Sequence, residues 1–466
     1  MAKRGGAPPT DRLTSFAPGL STLLHYDRGW LRGDLLAGVT VAAYLVPQVM
    51  AYAEVAGLPA VVGLWACVGP LLVYAVLGSS RQLSVGPEST TALMTAAAIG
   101  AMGAGDPERY ASLAAALAIV VGAFCLLGYV GRLGFLADLL SRPVLVGYMA
   151  GIAVLMIVSQ LGKLSGMDVE GDTPLEQTGY TLMHLGDVQL ATLALAGTVL
   201  VLLLLGQHYL PHWPNPLIVM LLAAAAVALL GLEEQGIAVV GQIPAGLPLP
   251  GLPDVDPQTM LELAVPAIGV AIVSYSDNVL TGRAFATRHR ERIDANQEFL
   301  ALGVANVSAG LTSAFPISSS GSRTVIGDSL GGRSQLYSLV SLGVVLLTMF
   351  FLDPVLAAFP MAALGGVVVF AAIRLVDVAE LRRIARFRRT ELALALATTA
   401  SVLLLGVLPG IGVAIALSIL DLLHRVARPH DGILGYVRDV PGMHDVDDYP
   451  EAQRVPGLVV YRYDSP

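Results

Sequence analysis

Arg81-Gln82-Leu83-Ser84-Val85-Gly86-Pro87-Glu88-Ser89-Thr90-Thr91 reads as an extended polar lead, broken at Gly86-Pro87, that opens into an Ala-rich helix. Phe315-Pro316-Ile317-Ser318-Ser319-Ser320-Gly321-Ser322-Arg323-Thr324 repeats the pattern, with a short helix after it. Both lie between long apolar runs. Non-helical backbone at membrane depth is tolerated only where protein buries it or a cavity hydrates it. A matched pair of interrupted segments in corresponding halves is the best sequence pointer to a transporter's binding site.

The composition agrees with a membrane setting. The 466 residues are 55% hydrophobic and only 13% charged, against about 25% charged for a soluble domain, and the mean hydropathy is +0.70. Runs such as Leu190–Gly206, Pro216–Leu232 and Leu392–Leu408 approach or reach the length that crosses a ~30 Å hydrocarbon core. Continuous apolar runs exclude a β-barrel, whose strands alternate. Gly, Pro and charge breaks delimit 14 candidate spans, near 34–54, 60–78, 86–102, 109–130, 143–162, 189–208, 215–232, 260–281, 294–313, 322–333, 335–352, 354–373, 390–408 and 409–425. The chain is thus expected to be an all-α integral membrane protein. The two broken spans are the third and the tenth. Seven spans separate them, and seven is odd, so the two halves are expected to be inverted.

Arginine placement gives the sidedness, because cytoplasmic loops carry the excess of Lys and Arg. Starting inside, the even breaks hold Arg81, Arg132, the group Arg283 to Arg292, Arg333 and the cluster Arg382 to Arg389, while odd breaks hold Asp168, Glu170, Glu233 and Glu234. Both termini are therefore expected in the cytoplasm, with the protein in the cytoplasmic (inner) membrane. A short loop makes the Arg382–Arg389 cluster a topology signal, and a net charge of −8 opposes nucleic-acid binding. Cys67 and Cys125 sit in apolar runs and form neither a disulfide framework nor metal spacing. No metal, cofactor or enzyme motif is read: neither His-Glu-x-x-His nor Gly-x-Ser-x-Gly occurs. The basic N-terminus lacks the apolar region of a signal peptide.

Half-helices starting near the membrane centre present free N–H groups and positive dipole ends, which together suit an anion. Arg323 adds a full charge in the first turn of the second, where a cation is disfavoured; that suggests an anionic visitor, against the plain alternative of an Arg that snorkels to the interface. Gln48 and Tyr52 are four apart and share a helix face. They suit an oxyanion, or simply helix–helix contact. Glu88 stands at the first half-helix start and reads in three ways: a partner of Arg323 in the empty site, a proton carrier, or a plain cap. Asp277 and Thr281, one turn apart in the eighth span, read as a proton or cation site, or as an interfacial acid paired with Arg283. Residues 428–466 turn polar and Pro-rich, and Leu458–Tyr463 is strand-like. That strand is expected to lack a partner, as the opening of a soluble domain.

Several motifs resemble the SulP family of anion transporters, known in animals as solute carrier family 26. They are Pro47-Gln48-Val49-Met50-Ala51-Tyr52-Ala53 with Ala56-Gly57-Leu58-Pro59, then Ser84-Val85-Gly86-Pro87, then Asn296-Gln297-Glu298, and Ser322-Arg323-Thr324 with Gly331-Gly332-Arg333-Ser334-Gln335-Leu336. The tail from Arg428 to Arg462 resembles the lead-in to that family's cytoplasmic STAS domain, here cut within its first strand. The resemblance implies two inverted seven-span repeats, a core domain of spans 1–4 and 8–11, a gate domain of spans 5–7 and 12–14, and a homodimer. It divides the chain into a cytoplasmic segment 1–33, a transport domain 34–427 and the tail 428–466. Carried over by position, it puts Gln48, Tyr52, Glu88, the adjoining Ser89, Ser322 and Arg323 at the anion site, and associates a span-8 acid, here Asp277 with Thr281, with proton or sodium coupling. The expected function is secondary active transport of a small anion (a dicarboxylate such as fumarate, sulfate or bicarbonate), by proton symport with core moving against gate. The alternatives are an uncoupled channel or exchanger, a sodium-coupled bicarbonate carrier and, further off, a nucleobase carrier.

Overall fold

The computed structural model describes residues 16–463 apart from 104, 139–140, 172, 212, 243–245, 388, 428–430 and 439. Residues 1–15 of the expected cytoplasmic segment, Arg388 of the arginine cluster and residues 464–466 lie outside these.

A helix occupies each of the expected spans. They run α1 Leu31–Val55, α2 Ala60–Leu77, α3 Ser89–Ile99, α4 Pro107–Val130, α5 Arg142–Ser159, α6 Leu190–Tyr209 and α7 Asn215–Leu230, then α8 Ala264–His289, α9 Ala295–Leu311, α10 Gly321–Ser329, α11 Leu336–Phe351, α12 Met361–Leu375, α13 Arg389–Leu405 and α14 Val407–Ala427. Among the described residues, seven helical stretches are long and apolar enough to cross a membrane, and shorter apolar helices accompany them. Leucines of α6 and α7 such as Leu190, Leu205, Leu222 and Leu229 point outward, as side chains facing lipid do.

Three boundaries differ from expectation. The eighth helix runs on past residue 281 to His289; Arg288 and His289 in its last turn are favoured by the dipole there, so charge does not end it. The twelfth begins at Met361 rather than 354, because Asp353–Ala357 forms a separate turn of helix. The two broken helices are short, since the lead of each is extended. These leads form β1 (Val85–Gly86) and β2 (Ser318–Ser319), paired antiparallel with Val85 opposite Ser319 and Gly86 opposite Ser318. Ser320 N donates to Ser84 O at 2.8 Å and Ser84 N to Thr324 Oγ1 at 3.0 Å, extending the ladder.

Helix contacts recur when every helix is advanced by seven. α1 meets α11 and α8 meets α4; α2 meets α11 and α9 meets α4; α5 meets α13 and α12 meets α6; α7 meets α1 and α14 meets α8. Small residues allow the closest approaches, as in membrane bundles generally. A Cβ on Gly63 would stand 1.9 Å from Val49 O, and one on Gly147 2.1 Å from Ala395 O.

The tail corrects one expectation. Val460–Tyr463 (β5) is not unpartnered: it pairs antiparallel with β3, Asp431–Tyr436, which also pairs with β4, Met443–Asp445. Two glycines in β3 weaken its strand signal, which is why it does not stand out in the sequence.

Candidate functional site

Polar bonds from distant helices hold the two paired leads in place. Glu298 at the start of α9 is fully buried and accepts from Tyr74 OH at 2.9 Å, Ser79 N at 2.9 Å, Ser79 Oγ at 2.7 Å and Asn278 Nδ2 at 2.6 Å. A buried carboxylate is tolerated because donors surround it. This one ties the end of α2, the lead into β1 and α8 to a single group. From the other side, Gln335 Nε2 donates to Ser80 O and Leu83 O, each at 2.9 Å, and Tyr337 OH donates to Gln82 O at 2.7 Å. Glu298 and Gln335 belong to sequence motifs noted above, yet their role as clamps is visible only in three dimensions.

The leads deliver α3 and α10 to one cavity of about 380 Å³, within the usual size range of ligand sites. Gln48, Tyr52, Glu88, Ser89, Asp277, Thr281 and Ser322 all line it. So do residues that sequence reasoning did not single out, among them Ser319, Ser320, Gly321, Met149, Phe370 and Arg374. Ser319 and Ser320 carry the one signal that was present, a run of serines beside the break; Phe370 and Arg374 belong to an ordinary apolar helix and carry none.

The two helix starts differ. Glu88 is the N-cap of α3: its Oε2 accepts from Thr90 N at 2.7 Å and its Oε1 from Ser89 Oγ at 2.5 Å. One of the free N–H groups expected at this start, that of Thr90, is therefore answered by the protein's own carboxylate. At α10 the N-cap is Ser320, with no side-chain cap bond, and a Cβ on Gly321 would meet nothing within 4 Å. That start stays open to the cavity, with a positive dipole end and first-turn N–H groups.

Arg323 does not line the cavity. It is fully buried behind the wall, where Nη1 donates to Pro87 O at 3.0 Å and Nε to Ser84 Oγ at 3.3 Å, while Nη2 has no protein partner. It braces β1 and the start of α3 from α10, and its charge stands one layer from the cavity. No ion pair joins Glu88 to Arg323 among the described residues, because each is committed to its own neighbours. Asp277 likewise is not paired with Arg283; its Oδ2 accepts from Ser319 Oγ at 3.1 Å. Gln48 Oε1 is buried and without a protein partner. The arrangement can hold a small anion at the start of α10 beside two carboxylates, whose charge a proton or cation would balance.

Two further contacts tie α1 to segments outside the paired leads, one near its end and one at its middle. Lys163, just beyond α5, donates to Glu54 near the end of α1 at 2.7 Å, with both side chains mostly buried. Tyr44 OH of α1 donates to Trp213 O, between α6 and α7.

Comparison with known proteins supplies the family. The model of the Sulfate permease family matches residues 31–398. A probable sulfate transporter of Mycobacterium tuberculosis is 57% identical over 98% of this chain and 82% of its own length. Human solute carrier family 26 member 6 is 33% identical over 93% of this chain and 60% of its own. Among solved structures, the murine solute carrier 26 family member A9 anion transporter in its inward-facing state superposes with a TM-score of 0.85 at 24% identity, over 99% of this chain and 79% of that one. The transmembrane domain of a cyanobacterial bicarbonate transporter, BicA, superposes at 0.73 and 22% identity, over 83% and 98%. At such identities these likenesses speak for the fold. Family model, curated relatives and fold agree: the chain belongs to the sulfate permease family, SulP/SLC26, and is a membrane transporter.

Proposed function

We propose that the chain is a secondary active transporter of a small oxyanion, bound in the cavity where α3 and α10 begin. One observation carries the reading. Two leads from opposite halves pair as strands, and the open, positive start of α10 faces a cavity whose lining includes several polar side chains. Sulfate is the first candidate, since close relatives bear that name; bicarbonate and a dicarboxylate such as fumarate are the comparisons to run.

The fourteen helices form two inverted repeats of seven, a reading supported by contacts that recur at a shift of seven. Core helices α1–α4 and α8–α11 carry the anion past gate helices α5–α7 and α12–α14. The cavity lining includes Leu145 near the start of α5 and Asp377 just after α12, beside the arginines of Val378–Phe387. By the positive-inside rule that face is cytoplasmic, both termini lie on that side of the cytoplasmic membrane, and the tail 428–466 is the opening of a STAS domain. The protein acts as a homodimer.

Coupling follows from charge. Glu88 and Asp277 line the same cavity as the anion, and three negative charges in a poorly hydrated space repel. Protonating one carboxylate removes that cost, so anion and proton move together. A sodium-coupled reading has its own support: Asp277 bonds Ser319, and Thr281 lies one turn away on the same lining, an oxygen set that suits a hard cation.

The test is uptake of labelled sulfate, bicarbonate and fumarate into proteoliposomes under inward proton or sodium gradients. Proton-driven accumulation of one anion, abolished by a protonophore, is expected. Uptake indifferent to both gradients would overturn symport in favour of a channel or exchanger.

A further inference from the structure

Arg374 is the one basic side chain on the cavity lining among the described residues; its charged companions there are Glu88, Asp277 and Asp377. It lies in the last turn of α12, where a cation is favoured by the helix dipole. Its anchors belong to the gate. Nη1 donates to Gln207 Oε1 of α6 at 3.2 Å, and the guanidinium stands 5.7 Å from the Phe370 ring of its own helix. It forms no ion pair among the described residues, so its charge is left to the cavity, as Arg323, buried behind the wall, cannot be.

The two cations near the anion's path thus sit on different bodies. Arg323 and the start of α10 belong to the core. Arg374 belongs to the gate, at the end of the cavity next to the arginine-rich face. We infer that Arg374 is a sided binding residue: it attracts and holds the anion at the cytoplasmic mouth and does not travel with it. This inference rests on the anion-transport reading above. A positive charge at the mouth, ahead of the acids deeper in the cavity, raises the local concentration of an anion there and makes its capture depend on salt. When the core carries the site past the gate, Arg374 stays behind. The affinity offered to the outside is then set by the core alone. A carrier so built binds its anion more tightly from the cytoplasmic face than its travelling site would alone.

The experiment measures labelled sulfate uptake into everted and right-side-out membrane vesicles, which present the cytoplasmic and the outer face respectively. Arg374→Gln is expected to raise KM at the cytoplasmic face fivefold or more, to flatten its dependence on ionic strength, and to leave KM at the outer face within twofold. Arg374→Lys, which keeps the charge, should restore most of the cytoplasmic-face affinity. Equal changes at both faces, or none, would overturn the inference while leaving transport intact. Absence of uptake of sulfate, bicarbonate and fumarate by the wild-type chain would instead sink the transport reading, and this inference with it.

Discussion

At the residue scale, the cavity separates groups that touch the passenger from groups that hold the walls. Glu88 and Asp277 line the cavity and are proposed to be of the first kind, so neutralising them tests the proposed coupling. If Glu88 carries the proton, Glu88→Gln should abolish proton-driven accumulation while anion exchange at equal pH continues; if Asp277 carries it, Asp277→Asn does so instead. Retention of gradient-driven uptake by both variants would rule out both residues. Arg323 is of the second kind. Truncating it to Ala leaves Pro87 O unpaired in the interior, which costs on the order of 2 kcal/mol, so Arg323→Ala should lower the thermal midpoint and lose transport together. Loss of transport at unchanged stability would mean that its charge, rather than its bracing, is what matters. Sequence alone indicated that Arg323 stands at a half-helix start, but not which way its long side chain turns; rotamer and partner depend on Ser84 and Pro87, more than two hundred residues away.

At the element scale, the helices were legible because apolar run length and Gly/Pro breaks are local properties of the chain. The bonds that fasten them were not. Glu298 collects donors from α2, from the lead into β1 and from α8, and nothing near it in the sequence points to Tyr74 or Asn278. Close packing has the same character: Gly63 looks like any glycine of a membrane helix until Val49 O is seen beside it. Gly63→Ala should therefore force α1 and α2 apart and sharply reduce the folded yield measured by size-exclusion chromatography. Gly343→Ala in α11, whose added Cβ meets nothing within 4 Å, is the matched control and should gain slightly from helix propensity. Equal yields from the two variants would contradict the packing argument.

At the scale of the whole molecule, the proposed division into core and gate lets the contacts between the two set the balance of states. On the proposed reading, with the cavity reaching the arginine-rich face, the Glu54–Lys163 pair lies at the opposite end and is the contact expected to hold that side shut. A partly shielded pair is worth about 1 kcal/mol, or roughly a fivefold shift in a two-state equilibrium. Lys163→Gln should accordingly raise the outside accessibility of a cysteine placed at Gln48 severalfold, and the exchange Glu54→Lys with Lys163→Glu should restore closure. Accessibility unchanged by Lys163→Gln would remove the pair from the balance. The halves of the chain are legible from the spacing of the two broken segments, yet their meeting at a two-stranded ladder is not, since strands of two residues have no periodicity to read.

That ladder has a consequence for how the transporter comes into being. β1 belongs to the first half and β2 to the second, and among the described residues each is the other's only neighbour in its sheet. Neither half, folded by itself, can finish its own broken helix start, because the ladder bonds of β1 and β2, with Ser320 N to Ser84 O and Ser84 N to Thr324 Oγ1, cross from one half to the other. The proposed binding site is therefore expected to stay incomplete until the second half has entered the membrane. Two separately translated halves, cut between α7 and α8, would regain activity only by finding one another.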